Sequence, residues 1–114
     1  MYYLEVLSLE DCPFCNATQE LLTLKGVNHQ IINIPRSEKE NFKNDKINTF
    51  PQIYLKKENS NGRLLIGGYD KLKIINNTIM SGGSLVDISN SIKKIGIDKF
   101  SKKASLRLIE LFSD

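Results

Sequence analysis

Tryptophan is absent, histidine occurs once, and the 114 residues hold only two cysteines, three prolines and seven glycines. Two cysteines are too few for a disulfide scaffold. So little glycine and proline excludes a collagen-like chain. Apolar runs are only a few residues long, so no membrane span is expected. The opening residues, Met1-Tyr2-Tyr3-Leu4-Glu5, lack a basic segment and reach an acid at once. No signal peptide is expected, and the expected location is cytoplasmic. Charge of one sign is also scarce: 16 Lys and Arg stand against 13 acids, a net charge of +3. The densest basic patches are the pairs Lys93-Lys94 and Lys102-Lys103. Nucleic-acid binders show a stripe or arm, so no nucleic-acid partner is expected. What remains is ordinary globular composition, 40% apolar and 25% charged. The length suits one domain over residues 1–114.

Tyr2 to Leu9 mixes β-branched, aromatic and alternating polar residues, which predicts a strand. Pro13 stands where a helix would begin. Phe14, Ala17, Leu21, Leu22 and Leu24 form a helical stripe, and Gly26 stops it. Val27 to Ile34 is a second strand. Ser37-Glu38-Lys39-Glu40 fits a capping box that opens a second helix, to about Lys46. Gln52 to Lys56 and Arg63 to Ile66 are strands joined at an Asn61-Gly62 turn. Further helices are expected from Tyr69 to about Asn76, from Ser84 to Ile95, and over residues 98–113. A β-α-β opening implies two parallel strands joined by a right-handed crossover. The chain therefore reads as α/β.

Cys12-Pro13-Phe14-Cys15 carries the chemistry. Alone, this spacing is ambiguous between redox work and metal binding. A tetrahedral zinc site needs four ligands, and the two cysteines with His29 cannot close one. The motif lies between a strand and a helix in a β-α-β pattern, the context of a redox pair. Cys12 falls at the helix N-cap, where free N–H groups and the helix dipole stabilise a thiolate. Cys15 lies one turn on, within reach to resolve a mixed disulfide, and no metal site is expected.

With three motifs in order, the chain resembles a glutaredoxin of the dithiol class. Cys12-Pro13-Phe14-Cys15 is similar to that family's C-P-[YF]-C. Thr49-Phe50-Pro51 is like its T-V-P segment, and Gly67-Gly68-Tyr69-Asp70 like its G-G-x-[DST] segment. A thioredoxin proper is disfavoured, because W-C-G-P-C is missing. The resemblance implies a thioredoxin fold, a four-stranded mixed sheet flanked by helices, to which the apolar spacing of the chain adds an extra C-terminal helix in residues 97–114. It implies a cis Phe50–Pro51 bond. It implies a glutathione-dependent thiol–disulfide oxidoreductase that passes electrons from glutathione to protein disulfides and glutathione mixed disulfides. Cys12 would attack and Cys15 resolve. Phe14, Thr49, Phe50, Pro51, Gly68, Tyr69 and Asp70 would hold glutathione, and the protein would act as a monomer. The rival implied reading is a dimer holding an iron–sulfur cluster through Cys12 and glutathione. Pro13 argues against it, since the family's cluster binders usually carry Gly or Ser there.

The chain also departs from the family pattern. Leu9 replaces the usual Lys or Arg three residues before the first cysteine, and Glu10 and Asp11 follow it. Two acids beside Cys12 favour the neutral thiol. Arg36 is a candidate for the lost contact to the glutathione glycine carboxylate, although it also fits a solvated surface residue. Lys71 stands where many relatives have a second acid. Asn16-Ala17-Thr18 and Asn76-Asn77-Thr78 match the glycosylation triplet and read as incidental. The stretch after about residue 97 exceeds what the family fold needs; its apolar stripe can pack back on the domain or receive a partner.

Overall fold

A computed structural model describes residues 1–113. Its elements run β1 (Tyr2–Leu9), α1 (Pro13–Leu24), β2 (His29–Ile34), a 3-10 helix (Arg36–Phe42), β3 (Gln52–Lys57), β4 (Arg63–Gly67), α2 (Tyr69–Met80), α3 (Leu85–Ile95) and α4 (Lys102–Phe112). The four strands form one sheet in the order β2-β1-β3-β4. β1 pairs parallel with β2, so that Val6 faces Ile31, and antiparallel with β3, so that Val6 faces Ile53. β3 and β4 are antiparallel, with an irregularity between Ile53 and Tyr54. This is the thioredoxin fold expected from the sequence: a mixed sheet flanked by helices.

Successive strand residues point to opposite faces. Leu4, Val6, Ile53, Leu55 and Ile66 point to one, where Leu22 of α1, Leu72 and Ile75 of α2, Ile92 of α3 and Leu108 of α4 meet them in one cluster. Leu7, Ile34, Tyr54 and Leu65 point to the other and meet Ile47. Both faces of β1 are therefore buried along most of its length, which is why its alternation reads weakly.

Several boundaries differ from those predicted. The segment expected as a capped α-helix from Ser37 is a 3-10 helix behind Pro35, with no side-chain capping bond and no buried residue. Its residues, RSEKENF, offer a single apolar side chain, so there is no stripe for an α-helix to bury. In α1 the buried face is Cys15, Thr18 and Leu22, while Phe14 and Leu24 of the expected stripe are exposed. The β3–β4 turn was expected at Asn61-Gly62, but the residue in the left-handed region is Asn59, at φ 62°. α2 runs on to Met80, because Ile75 and Ile79 continue its apolar stripe. α4 starts at Lys102, where the Ser101 hydroxyl accepts the Ala104 N–H. Residues 97–101, expected in that helix, are non-helical. Asp114, the end of the expected extension, lies outside the described residues. Among these residues no helix is long and apolar enough to cross a membrane.

Candidate active site

β1 ends at Leu9 and α1 begins at Pro13, so three residues must turn the chain from sheet to helix. Asp11 makes the turn at φ 55°, a left-handed conformation that Asp tolerates better than most residues. Arg36 braces it from the next crossover: its Nη2 donates to the Asp11 carbonyl at 2.8 Å, and its backbone N–H to Glu10 Oε1 at 3.3 Å. The Arg36 guanidinium is thus engaged behind the cysteine turn, outside the residues that line the cleft described below.

Cys12 is the N-cap of α1, in extended conformation, and its Sγ accepts the Cys15 N–H at 3.2 Å. The sulfur thereby takes a first-turn donor that would otherwise lack a partner. Cys12 and Cys15 are joined as a disulfide with Cα atoms 5.2 Å apart. The two sulfurs are not equivalent. Cys15 is 1% exposed and its Sγ accepts the Leu9 N–H at 3.4 Å, against β1. Cys12 is 9% exposed, and its Sγ lies 3.8 Å from the Phe50 carbonyl oxygen.

Phe50 belongs to a cleft of about 410 Å³ lined by Phe14, Thr49, Phe50, Pro51, Gly68, Tyr69 and Asp70. The structure brings together all seven residues singled out for it in the sequence. One wall is Thr49–Pro51, where the Phe50–Pro51 peptide is cis. The other is the turn from β4 into α2. Gly67 makes that turn at φ 138°, where a side chain is strained, and a methyl group there would lie 2.7 Å from Lys71 Cγ. Gly68 caps α2 without a side chain, leaving first-turn N–H groups free toward the cleft. The Phe14 and Tyr69 rings close one side, with centres 6.0 Å apart. Phe14, 63% exposed, works at the surface and not in the core.

Lys73 of α2, which no sequence motif marks, also stands near the cleft. Its Nζ lies 5.5 Å from the Tyr69 ring centre, a cation–π contact beside the cleft. Helical spacing from Tyr69 was the available signal. His29 is remote in role: its Nδ1 lies 2.7 Å from the Val27 carbonyl. Both glycosylation triplets lie inside helices, with Thr18 and Asn76 buried. Among the described residues no three His, Cys, Asp or Glu side chains gather to hold a metal ion.

A thioredoxin fold that presents a disulfide-forming C-x-x-C pair at a helix N-terminus, one sulfur outward and one inward, defines a thiol–disulfide oxidoreductase. Residues 4–59 match the family model named Glutaredoxin. With its Cys12–Cys15 pair, that stretch is similar to a dithiol glutaredoxin. No curated protein matches it.

Proposed function

We propose that the protein is a glutathione-dependent oxidoreductase that reduces protein disulfides and glutathione mixed disulfides. One observation carries the reading: the outward sulfur, Cys12, stands at the end of a cleft whose two walls suit an extended, doubly charged peptide. The Thr49–Pro51 wall offers backbone for strand-like pairing. The free N–H groups at the start of α2 suit a carboxylate, and the Asp70 carboxylate suits an ammonium. The Phe14 and Tyr69 rings flank the peptide between these ends. The family match supports glutathione as the reductant.

In the forward direction the Cys12 thiolate attacks one sulfur of the substrate disulfide. Its S–S bond breaks, one substrate thiolate leaves, and Cys12 holds the other half as a mixed disulfide. The Cys15 thiolate then attacks Cys12 Sγ, which releases the second substrate thiol and forms the Cys12–Cys15 disulfide. Two glutathione thiols reduce that bond in turn, yielding glutathione disulfide. The reading entails a monomer in a cytoplasmic compartment that keeps glutathione reduced, since direction follows the compartment's poise.

The test separates the cysteines. Cys12→Ser is expected to abolish exchange on every substrate. Cys15→Ser is expected to keep most activity on a glutathionylated peptide, where free glutathione resolves Cys12, and to lose activity on a disulfide-bonded protein. Both assays are coupled to glutathione reductase. Peptide activity that survives in Cys12→Ser refutes the assignment of roles.

A further inference from the structure

The linker between α3 and α4 lies beyond the residues matched by the family model, yet it touches the foundations of the cleft. It runs along the outer edge of β4. Ile97 N–H donates to the Ile66 carbonyl at 3.0 Å, and Asp98 N–H to the Leu65 carbonyl at 2.9 Å. The Asp98 side chain completes the pairing, its Oδ2 accepting the Leu65 N–H at 2.8 Å. An edge strand that would otherwise present bare donors and acceptors is closed here. The closure falls just before Gly67 and Gly68, where the α2 wall begins. The Ile97 side chain also lies over Gly67, 3.5 Å from where a methyl group on that residue would sit.

The second carboxylate oxygen turns the other way. Asp98 Oδ1 accepts from Lys46 Nζ at 2.6 Å. Lys46 stands three residues before Thr49, at the root of the opposite wall. The chain between them is held close: Asn44 Oδ1 accepts the N–H groups of Lys46 and Ile47, and Ile47 is buried in the second core cluster. Asp45, Tyr54 and Arg63 face the same space around the carboxylate.

The linker itself has little freedom. A methyl group on Gly96 would lie 2.9 Å from the Phe100 ring, which is buried in the main core beside Ala104 and Leu108. One side chain on a linker fixed at both ends therefore touches the base of each wall.

We propose that Asp98 is a positioning residue that sets the separation of the two cleft walls, Thr49–Pro51 and Gly68–Asp70, and with it the affinity for the glutathione moiety. This rests on the reading that the cleft holds that moiety. The chemistry at sulfur is set elsewhere, by α1 and the Asp11 turn, so loosening the walls weakens binding and leaves the chemical step alone. An exposed ion pair contributes little to stability by itself. Its weight here is geometric.

The experiment combines amide hydrogen exchange on the oxidised protein with steady-state kinetics on a glutathionylated peptide. Asp98→Ala is expected to speed exchange at Thr49, Phe50 and Tyr69. It is expected to raise KM about threefold to tenfold, the size of coupling seen for residues that act on a site through neighbours, with kcat within about twofold of the parent. Asp98→Asn keeps an acceptor for the Leu65 N–H and loses the ion pair. It is expected to loosen only the Thr49–Phe50 side and to raise KM less, and Lys46→Met should match it. A lower melting temperature in Asp98→Ala, with exchange at both walls and KM at parental values, overturns the proposal, because Asp98 then serves stability alone. So does a loss confined to kcat. If the parent protein does not turn over the peptide, the glutathione reading fails and exchange at the two walls alone decides the tether.

Discussion

One face of the sheet lies under four helices, whose buried side chains join Leu4, Val6, Ile53, Leu55 and Ile66 in a single cluster. The other lies under a 3-10 helix of seven residues, which buries none of its own side chains, and the loop that follows it. That loop lends Ile47 to a smaller cluster with Leu7, Ile34, Tyr54 and Leu65. Below the cluster the second face turns polar. Glu5 is 6% exposed there and is held by Arg63 at 3.1 Å and Lys56 at 3.6 Å, with the Arg63 guanidinium stacked 3.9 Å over the Tyr54 ring. One face is held by apolar area, the other by a few directional contacts.

The active site lies where these two regimes meet. Cys12, Phe14 and Tyr69 come from helices of the thick face, so their positions are fixed by core packing. Thr49 and Phe50 come from the loop of the thin face. A disulfide exchanger must admit substrates of many shapes at one fixed sulfur. Local stability follows buried apolar contact, so the element that yields is the one with least of it.

The widest gap between the faces should appear in stability. Leu108→Ala removes a fully buried side chain of α4 from the large cluster. It is expected to cost about 3–4 kcal/mol in denaturant unfolding, within the range for large-to-small core changes. Ile47→Ala on the thin face is expected to cost about 2 kcal/mol, because the loop around it can collapse into the space. Equal losses break the comparison. A smaller effect is expected from charge. Arg63→Met leaves Glu5 buried with only the longer Lys56 contact, at a cost of about 1–2 kcal/mol. Adding Glu5→Gln should recover part of the loss in a double-mutant cycle. No recovery means that Arg63 acts through Tyr54 and not through Glu5.

Most of the thick face was legible in the sequence, because it is written in periodicity. α1, α2 and α3 carry apolar spacings that survive small errors in their ends, and Pro13 and Gly26 punctuate the first of them. The cleft was legible for another reason: its seven lining residues sit in short motifs whose order matches a known family. The thin face left little to read. Ser37-Glu38-Lys39-Glu40 has the letters of a capping box, but no apolar stripe follows to make a helix worth capping. Leu9 leaves Cys12 without the family's usual cation, and nothing local shows that its side chain packs against the second cluster instead. Asp98 was assigned to a helix, because Phe100, Ala104 and Leu108 share its spacing; nothing local marks a residue whose partners are Leu65 and Lys46. Contacts so distant along the chain have no signature in a single sequence.

The smallest expected effect is read through that same carboxylate, the seam between the faces. The Leu65 N–H, with help from Lys46, holds the Asp98 carboxyl below its ordinary range. A carboxyl with a lowered folded-state pKa stabilises the fold above the pKa of the unfolded chain, about 3.9. That contribution is lost as pH falls through the folded value, where the group is protonated in both states. The difference in melting temperature between the parent and Asp98→Asn should therefore be constant from about pH 7 to pH 5, and narrow below about pH 4. Parent and Asp98→Asn share every other titratable group, so the narrowing belongs to the one carboxylate. In the Lys46→Met background the same difference should begin to narrow at the same pH, set by the unfolded chain, but narrow by less and finish at a higher pH, because the backbone N–H alone then holds the folded pKa down. A difference that widens in acid reverses the sign and removes Asp98 as the seam.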